Sequence, residues 1–226
     1  MARPQLQDRI VDLILDRGLA PGESMPTEPV LMDELGASRN SVREALRALH
    51  TLGIVDIRHG YGTFVGAAPI TAFTPGLLFQ ARQSLGKDAS VLADLVEIRR
   101  ILETDLIGKV VPLADEDFLA ELDGLTARME SGEKDADERF HQTLYRPVGN
   151  DFALQLIALF WTVYHRLEAE IEPPGKAAEE IGHGHGEIVA ALRTGDPAAA
   201  RAAMTEHFAD IETRVATLMS RLAEKD

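Results

Sequence analysis

The chain has 226 residues, a formal net charge of −14 and no cysteine. The lack of cysteine excludes disulfides, thiolate metal sites and cysteine nucleophiles, and the length allows one large domain or two small ones. No apolar run approaches the length of a membrane span, and the N-terminus is too charged for a signal peptide, so we expect a cytoplasmic protein.

The negative charge is unevenly distributed along the chain. Residues 1–66 carry a net charge of −2, and the remaining residues carry −12. An acidic body attached to a nearly neutral N-terminal module is compatible with DNA binding if the basic side chains of that module gather on one face. The global charge therefore does not decide the class of partner.

The first two elements are predicted to be helices. Residues 5–17 place apolar side chains at helical spacing and end at Gly18. Thr27 is a suitable N-cap for a second helix, which tolerates Pro29 in its first turn and ends at Gly36. The side chains of this second helix that we expect to face inward are Val30, Leu31 and Leu35.

A third helix is predicted to begin after Ser38, whose side chain is suited to capping its free N–H groups. Its arginines recur every four residues and share one face: Arg39, Arg43 and Arg47. Its apolar stripe comprises Val42, Ala45, Leu46, Leu49 and Leu52. A helix that packs by one face and begins with small polar and arginine side chains suits a DNA recognition helix.

Two short strands are predicted after this helix, at residues 54–57 and 62–65, around a glycine-rich turn at 58–61. A helix, a short turn containing glycine and a second helix make a helix-turn-helix. The hairpin would then be the wing of a winged helix-turn-helix domain over residues 1–66.

The rest of the chain is predicted to be helical. A linker rich in proline and small residues is expected at 67–76, and residues 77–226 show helix after helix with no convincing strand. The predicted fold class is therefore mainly α, with three helices and a β-hairpin wing followed by an all-α bundle of six or seven helices.

The bundle places polar residues on apolar helical stripes. Four of them are of types that bind metals: Asp137, His141, His185 and His207. Buried imidazoles and carboxylates cost several kcal/mol each if they lack partners. One divalent ion held by three histidines and an aspartate would satisfy all four, and Arg99 is also expected to point inward. His183 is the alternative ligand, but it is two residues from His185 and therefore lies on another face of the same helix. We interpret His183, His165 and His50 as structural.

Three separated motifs in residues 5–66 resemble the GntR family of bacterial transcription regulators. They are Ala20 to Glu28, Gly36 to Leu46, and Gly60-Tyr61-Gly62-Thr63-Phe64-Val65. The resemblance implies that Arg39 and Arg43 contact bases and phosphates. It also implies that the short polar residues Ser38, Asn40 and Ser41 meet the DNA, and that the wing tip at His59 and Gly60 enters the minor groove. Pro29 stands where many members carry a DNA-contacting arginine, so that contact is absent here. For Arg47, a phosphate contact and a surface ion pair are equally open.

Residues 77–222 resemble the FCD ligand-binding domain of the FadR subfamily. The matching pieces are Glu97-x-Arg99 with Glu103, Asp137-x-x-x-His141, His185-x-x-Ile188, and Asp196-Pro197 leading to His207. The resemblance implies a metal site of Asp137, His141, His185 and His207 that holds zinc, or alternatively nickel or manganese. It also implies a small carboxylate effector whose charge pairs with Arg99.

The functional prediction is a homodimeric transcription regulator, most often a repressor in this subfamily, that binds a palindromic operator and responds to the carboxylate. Two alternatives stay open at this point. The metal itself could be the signal, or the metal could activate water in a hydrolase. The sequence offers no obvious general base beside the ligands, and a hydrolase would leave the N-terminal module unexplained; we therefore predict that the protein is not an enzyme.

Overall fold

A computed structural model describes residues 5–167 and 178–224, with residues 178–181 described by their backbone alone. Three segments lie outside the described residues: 1–4, 168–177 and 225–226. The first and the last are the ends of the two predicted domains, and 168–177 lies within the second domain. The chain divides into two compact units between Phe73 and Thr74. Each unit is described by itself.

The N-terminal unit consists of three helices and a hairpin. The helices are α1 (Leu6–Asp16), α2 (Glu28–Leu35) and α3 (Arg39–Thr51), and the strands are β1 (Val55–Arg58) and β2 (Gly62–Val65). The strands pair antiparallel with Val55 opposite Val65 and Arg58 opposite Gly62. The predicted winged helix-turn-helix is therefore confirmed, and its first strand begins one residue later than predicted.

Local residue chemistry accounts for the helix boundaries in this unit. The Ser38 hydroxyl accepts a hydrogen bond from the Ser41 backbone N–H at 3.2 Å, which caps α3 as predicted. Gly36 ends α2 in the left-handed conformation, with φ of 56°, which glycine adopts without strain. Thr27 occupies the N-cap of α2, but its side chain makes no capping hydrogen bond.

One core, formed by both helices and strands, holds the N-terminal unit together. It includes Ile10, Leu31, Val42, Leu46 and Val55, all of which are buried. The inward orientation predicted for Val30 is wrong, because its side chain is 41% exposed. The short α2 buries only Leu31 and Leu35, which are four residues apart and share one face.

Helical structure begins inside the segment that we predicted to be a linker. A 3-10 helix spans Ile70–Phe73, and α4 (Thr74–Leu85) follows it directly. Pro75, which we interpreted as a sign of a linker, instead lies in the first turn of α4. Proline is tolerated there because the first-turn N–H groups have no helical acceptor.

The C-terminal unit contains seven α-helices within the described residues, at the upper end of the prediction. After α4 they are α5 (Ser90–Val110), α6 (Glu116–Glu130), α7 (Ala136–Tyr145), α8 (Asp151–Leu167), α9 (Ala178–Arg193) and α10 (Pro197–Ala223), with 3-10 turns at Val111–Leu113 and Arg146–Val148. The long helices α5 and α10 pack along each other, α9 packs on α6 and α10, and α7 contacts α5, α6 and α8. No helix in the described part of the chain is long and apolar enough to cross a bilayer.

Candidate metal site and nucleic-acid interface

Three histidines from three different helices meet inside the C-terminal unit. His141 lies on α7, His185 on α9 and His207 on α10, and one ring nitrogen from each lies within 4.8 Å of the other two. The closest pair of rings is His185 and His207, with centroids 4.4 Å apart. His141 and His185 are fully buried. Sequence periodicity placed each histidine on an inward face, and the packing of α7, α9 and α10 brings those faces together.

Asp137 completes the cluster from one turn before His141 on α7. Its Oδ1 atom lies 3.0 Å from His185 Nε2 and 3.4 Å from His141 Nε2. Burial would raise the pKa of the Asp137 carboxyl, but the neighbouring His185 and His141 outweigh burial and hold that pKa well below its ordinary value. Asp137 is therefore a carboxylate. The structure thus brings all four predicted ligands together, while their role in binding a metal stays a prediction.

A second carboxylate, that of the fully buried Glu103 on α5, orients His141 from behind. His141 Nδ1 lies 2.5 Å from Glu103 Oε2, and Arg99 Nε donates to Glu103 Oε1 at 2.5 Å. The Tyr145 hydroxyl donates to the backbone carbonyl of Glu103 at 3.2 Å. Burial would raise the pKa of Glu103, but Arg99 and His141 outweigh burial and lower it to about 2. The carboxylate is charged, so we assign the Nδ1 proton of His141 to the contact with Glu103, which directs Nε2 at the cluster.

The electrostatics of the cluster favour a bound cation. Burial lowers the pKa of His141, but the Glu103 carboxylate and the nearby Asp137 carboxylate outweigh burial, so the pKa is raised. Burial, and then the neighbouring His185 and His141, hold the pKa of His207 well below its ordinary value, so His207 is neutral. The cluster contains two carboxylates, the buried Glu103 and the partly exposed Asp137, and one arginine, Arg99, which pairs with Glu103. The cluster is therefore suited to additional positive charge at the histidine nitrogens.

The residues present fit a divalent metal ion. His141 Nε2 is buried and has no hydrogen-bond partner among the described residues, although it points toward Asp137. An unpaired buried nitrogen is costly, and coordination to a metal would satisfy it. Three imidazole nitrogens and one carboxylate oxygen form a donor set that suits zinc and also nickel or manganese.

The histidine cluster opens onto a cavity of about 710 Å³. Its walls include Arg99, Asp137, His185 and His207 together with Trp161 and Tyr164 of α8. The Arg99 guanidinium stacks on the Trp161 ring, with its central carbon 4.3 Å from the ring centroid. Arg99 Nη2 is buried without a hydrogen-bond partner in the described structure. An anion in the cavity is a suitable acceptor for that N–H group.

Sequence reasoning missed the role of Trp161 in this cavity. Trp161 is not among the candidate residues named from the sequence, yet its Nε1 atom is buried without a partner in the part of the chain that the structure describes. The available signal was its chemistry, because the single tryptophan of the chain carries an N–H donor that a purely apolar core does not satisfy.

The histidines that we interpreted as structural lie outside the three-histidine cluster. His183, the alternative ligand, is 79% exposed in its side chain and lies 3.4 Å from Glu187 on the same helix. His165 lies 3.6 Å from Glu138 and contacts the Trp161 ring. In the N-terminal unit, His50 Nδ1 lies 3.0 Å from the Val55 carbonyl oxygen and joins the end of α3 to the wing.

The residues predicted to contact DNA are exposed on two surfaces of the N-terminal unit. The first surface is the start of α3, with Ser38, Arg39, Asn40, Ser41 and Arg43. The second is the turn between β1 and β2, with His59 and Gly60. Contact with DNA stays a prediction for each of them.

The three arginines of α3 differ in their partners. Arg43 Nε donates to both carboxylate oxygens of Glu28 at 2.9 Å, and Arg47 pairs with Glu44 at 3.0 Å. Arg39 has no such partner among the described residues.

The fold and the site together define a class of protein. A winged helix with arginines exposed on its third helix is followed by an all-helical domain with a buried histidine–carboxylate cavity. Residues 3–65 match the family described as bacterial regulatory proteins, gntR family, and residues 94–210 match the FCD domain. The chain belongs to the FadR-like subfamily of the GntR regulators. It is a DNA-binding transcription regulator rather than an enzyme, which excludes the hydrolase alternative.

Regulators and a solved structure similar to this chain cover most of its length. The transcriptional regulator LutR of Bacillus subtilis is 27% identical over 88% of this chain and 94% of its own. The transcriptional repressor NanR of Cronobacter sakazakii is 27% identical over 90% of this chain and 81% of its own. The structure of Streptococcus agalactiae GntR is 26% identical with a TM-score of 0.66, over 92% of this chain and 98% of that one.

Proposed function

We propose that this regulator is a homodimeric repressor whose operator affinity is controlled by a small carboxylate bound at a divalent metal in the C-terminal cavity. The observation that carries the proposal is the convergence of Asp137, His141, His185 and His207 beside the buried Nη2 atom of Arg99 in one cavity. A cation site next to an arginine donor is complementary to an anionic oxygen ligand.

The metal site would consist of the three histidines and Asp137, with zinc as the first choice and nickel or manganese as alternatives. When bound, the ion supplies a Lewis-acid position for a carboxylate oxygen. Glu103 has a supporting part, since its contact with Nδ1 of His141 fixes the ring orientation that presents Nε2.

Arg99 would hold the effector carboxylate by its charge. Its Nε is engaged by Glu103, which fixes the guanidinium, and its face lies on Trp161. The remaining buried donor Nη2 therefore has a defined position in the cavity wall. A preorganised donor loses little side-chain entropy on binding, which favours affinity for a small ligand.

The DNA-contacting surface would comprise Ser38, Arg39, Asn40, Ser41 and Arg43 of the recognition helix and the wing tip at His59 and Gly60. A two-fold dimer presents two such helices, so the operator would be a short palindrome. The similarity to the repressor NanR supports repression as the output. Such a protein would act in the cytoplasm, where the operator DNA is.

The effector can change operator affinity only by as much as its own affinity differs between the DNA-bound and DNA-free forms. The coupling is reciprocal, so operator DNA must change effector affinity by the same factor. This reciprocity gives an internal check on any measured response.

A second candidate is a regulator for which the metal itself is the signal. The observation that favours it is that four protein ligands are available without any contribution from an effector. Operator affinity that follows the free metal concentration with no small molecule present would support this candidate over the first.

The test begins with an operator selected from a random DNA library by the purified protein. Operator affinity is then measured by fluorescence anisotropy for metal-loaded and metal-stripped protein, with and without a panel of small carboxylates. We expect at least one carboxylate to weaken operator binding of the loaded protein only, and Arg99→Gln to lose that response while it keeps operator affinity without ligand. If no carboxylate changes the operator affinity of the loaded protein, the proposal is wrong.

A further inference from the structure

The cavity contains a second, largely buried arginine, about two helical turns from the histidine cluster. Arg214 lies on α10 seven residues after His207, and both residues line the cavity. Seven residues are close to two helical turns, so the two side chains share a face and are separated by about 10 Å along the helix axis. The cavity therefore extends from the metal ligands to a second cationic group.

Arg214 is held in the cavity wall by neighbouring residues. Its side chain is only 12% exposed, and its Nη1 atom donates to the Tyr164 hydroxyl at 3.3 Å. The Asp210 carboxylate, one turn earlier on α10, lies 4.0 Å from Nη1, at the outer limit for an ion pair. The guanidinium is thus largely removed from water, where an additional anionic partner interacts more strongly than it would at the surface.

An aromatic wall connects the two arginines. Arg99 stacks on Trp161, the Trp161 ring meets the Tyr164 ring edge-on with centroids 5.9 Å apart, and the Tyr164 hydroxyl accepts from Arg214. A ligand that lies along this wall has a cation at each end. It also has apolar ring surface between them, which suits a carbon chain.

The size of the cavity supports a ligand longer than the simplest acids. A volume of about 710 Å³ lies within the range of about 300–1,000 Å³ that is typical of small-molecule sites. An acid of two or three carbons at the metal would reach Arg99 but leave the part of the cavity at Arg214 empty.

We propose that the effector is a dicarboxylate, with one carboxylate at the metal and Arg99 and the second at Arg214. This inference rests on the proposed function and specifies the chemical class of its effector. A second carboxylate would make charge-assisted hydrogen bonds to the guanidinium, and each such bond is strong enough to change affinity about tenfold or more.

The experiment compares acids that differ only in their second carboxylate. Zinc-loaded protein is titrated with butyrate and succinate, pentanoate and glutarate, and hexanoate and adipate, while the fluorescence of Trp161 is followed. This residue is the only tryptophan of the chain and lies between the two arginines. Zinc content is measured after each titration to exclude removal of the metal by the diacid.

The matched variants are Arg214→Gln, Arg214→Lys and Arg201→Gln, with folding checked by circular dichroism. Arg201 is an exposed arginine of the same helix that does not line the cavity. In the wild type we expect at least one diacid to bind about tenfold more tightly than its monoacid. Arg214→Gln should remove this preference by weakening diacid binding much more than monoacid binding, Arg214→Lys should retain part of the preference, and Arg201→Gln should retain all of it.

The outcomes separate this inference from the function on which it rests. If monoacids bind and diacids bind no more tightly at any length, or if the preference persists in Arg214→Gln, the dicarboxylate assignment is overturned while the carboxylate effector stands. If neither series binds to the loaded wild type, the effector proposal is overturned together with this inference.

Discussion

The ion pairs of the two units differ in their exposure. In the N-terminal unit, Arg43 pairs with Glu28 and Arg47 pairs with Glu44, and both pairs lie at the surface. In the C-terminal unit, Arg99 and His141 both contact Glu103, which is fully buried. Exposed ion pairs contribute about 0–1 kcal/mol and are screened by salt, so an exposed arginine gives up its carboxylate partner at little cost. Breaking a buried pair costs more because it leaves an uncompensated charge. The exposed pairs of the N-terminal unit are therefore easily broken, whereas the buried contacts of Glu103 hold a fixed geometry.

The largest effect that we expect from this comparison is on stability in acid. The pKa of Glu103 is lowered from an ordinary value of 4.5 to about 2, so its stabilising contribution is complete above about pH 4.5 and is lost as the pH falls toward 2. This contribution is on the order of 3 kcal/mol at neutral pH. Urea unfolding of metal-free protein, followed by Trp161 fluorescence, should show Glu103→Gln to be less stable at pH 7 by about that amount.

The gap between the wild type and Glu103→Gln should narrow by about 1 kcal/mol at about pH 3.5, because the Glu103 carboxyl of the unfolded chain, with its ordinary pKa of 4.5, is largely protonated there while that of the folded chain is still charged. Glu121→Gln serves as the control, since Glu121 makes an exposed pair with Arg146 and should change stability by less than about 1 kcal/mol. A gap that is the same at both pH values would contradict the assignment of a buried, charged Glu103.

A second prediction concerns the metal affinity of the same variant. Because Glu103 orients the His141 ring, Glu103→Gln should weaken zinc binding by about 10- to 100-fold. Competition with a chromophoric chelator measures this constant. His183→Ala, which changes an exposed histidine outside the cluster, should leave zinc affinity unchanged. An equal loss in both variants would mean that the cluster is not the zinc site.

A third prediction ranks two arginines of the recognition helix. Arg39→Ala should cost about 1–3 kcal/mol in operator binding, because Arg39 lies at the start of α3 and no carboxylate in the described structure competes for it. Arg47→Ala should cost less than about 1 kcal/mol, because Arg47 lies further along α3 and pairs with Glu44. Operator affinity at several salt concentrations measures both effects. The reverse ranking would place the DNA at the other end of the helix.

The elements of the N-terminal unit could be predicted because their determinants are local. Ser38 caps α3, Gly36 ends α2, and the glycine-rich turn separates two strands of alternating residues. Pro75 misled the prediction because proline is compatible both with a linker and with the first turn of a helix. The position of Val30 was misjudged because a short helix buries only a narrow stripe.

The residues of the candidate metal site could be predicted from the sequence, but the contacts and the cavity around them could not. Helical periodicity placed Asp137 and the three histidines on inward faces, and a shared need for partners suggested a common ion. The contact of Glu103 with His141 joins residues 38 positions apart, and no local pattern encodes it. The cavity, and with it the position of Trp161 between two arginines, depends on how α5, α8 and α10 pack.

The most direct test of this account is the metal content per protomer, measured by elemental analysis on the purified wild type, on His185→Ala/His207→Ala and on His183→Ala. We expect about one equivalent of a divalent metal in the wild type and in His183→Ala, and very little in the double variant. Absence of metal from the wild type, even after reloading and mild dialysis, would contradict the account. The four polar residues would then form a metal-free pocket that binds its ligand by hydrogen bonds from the histidines.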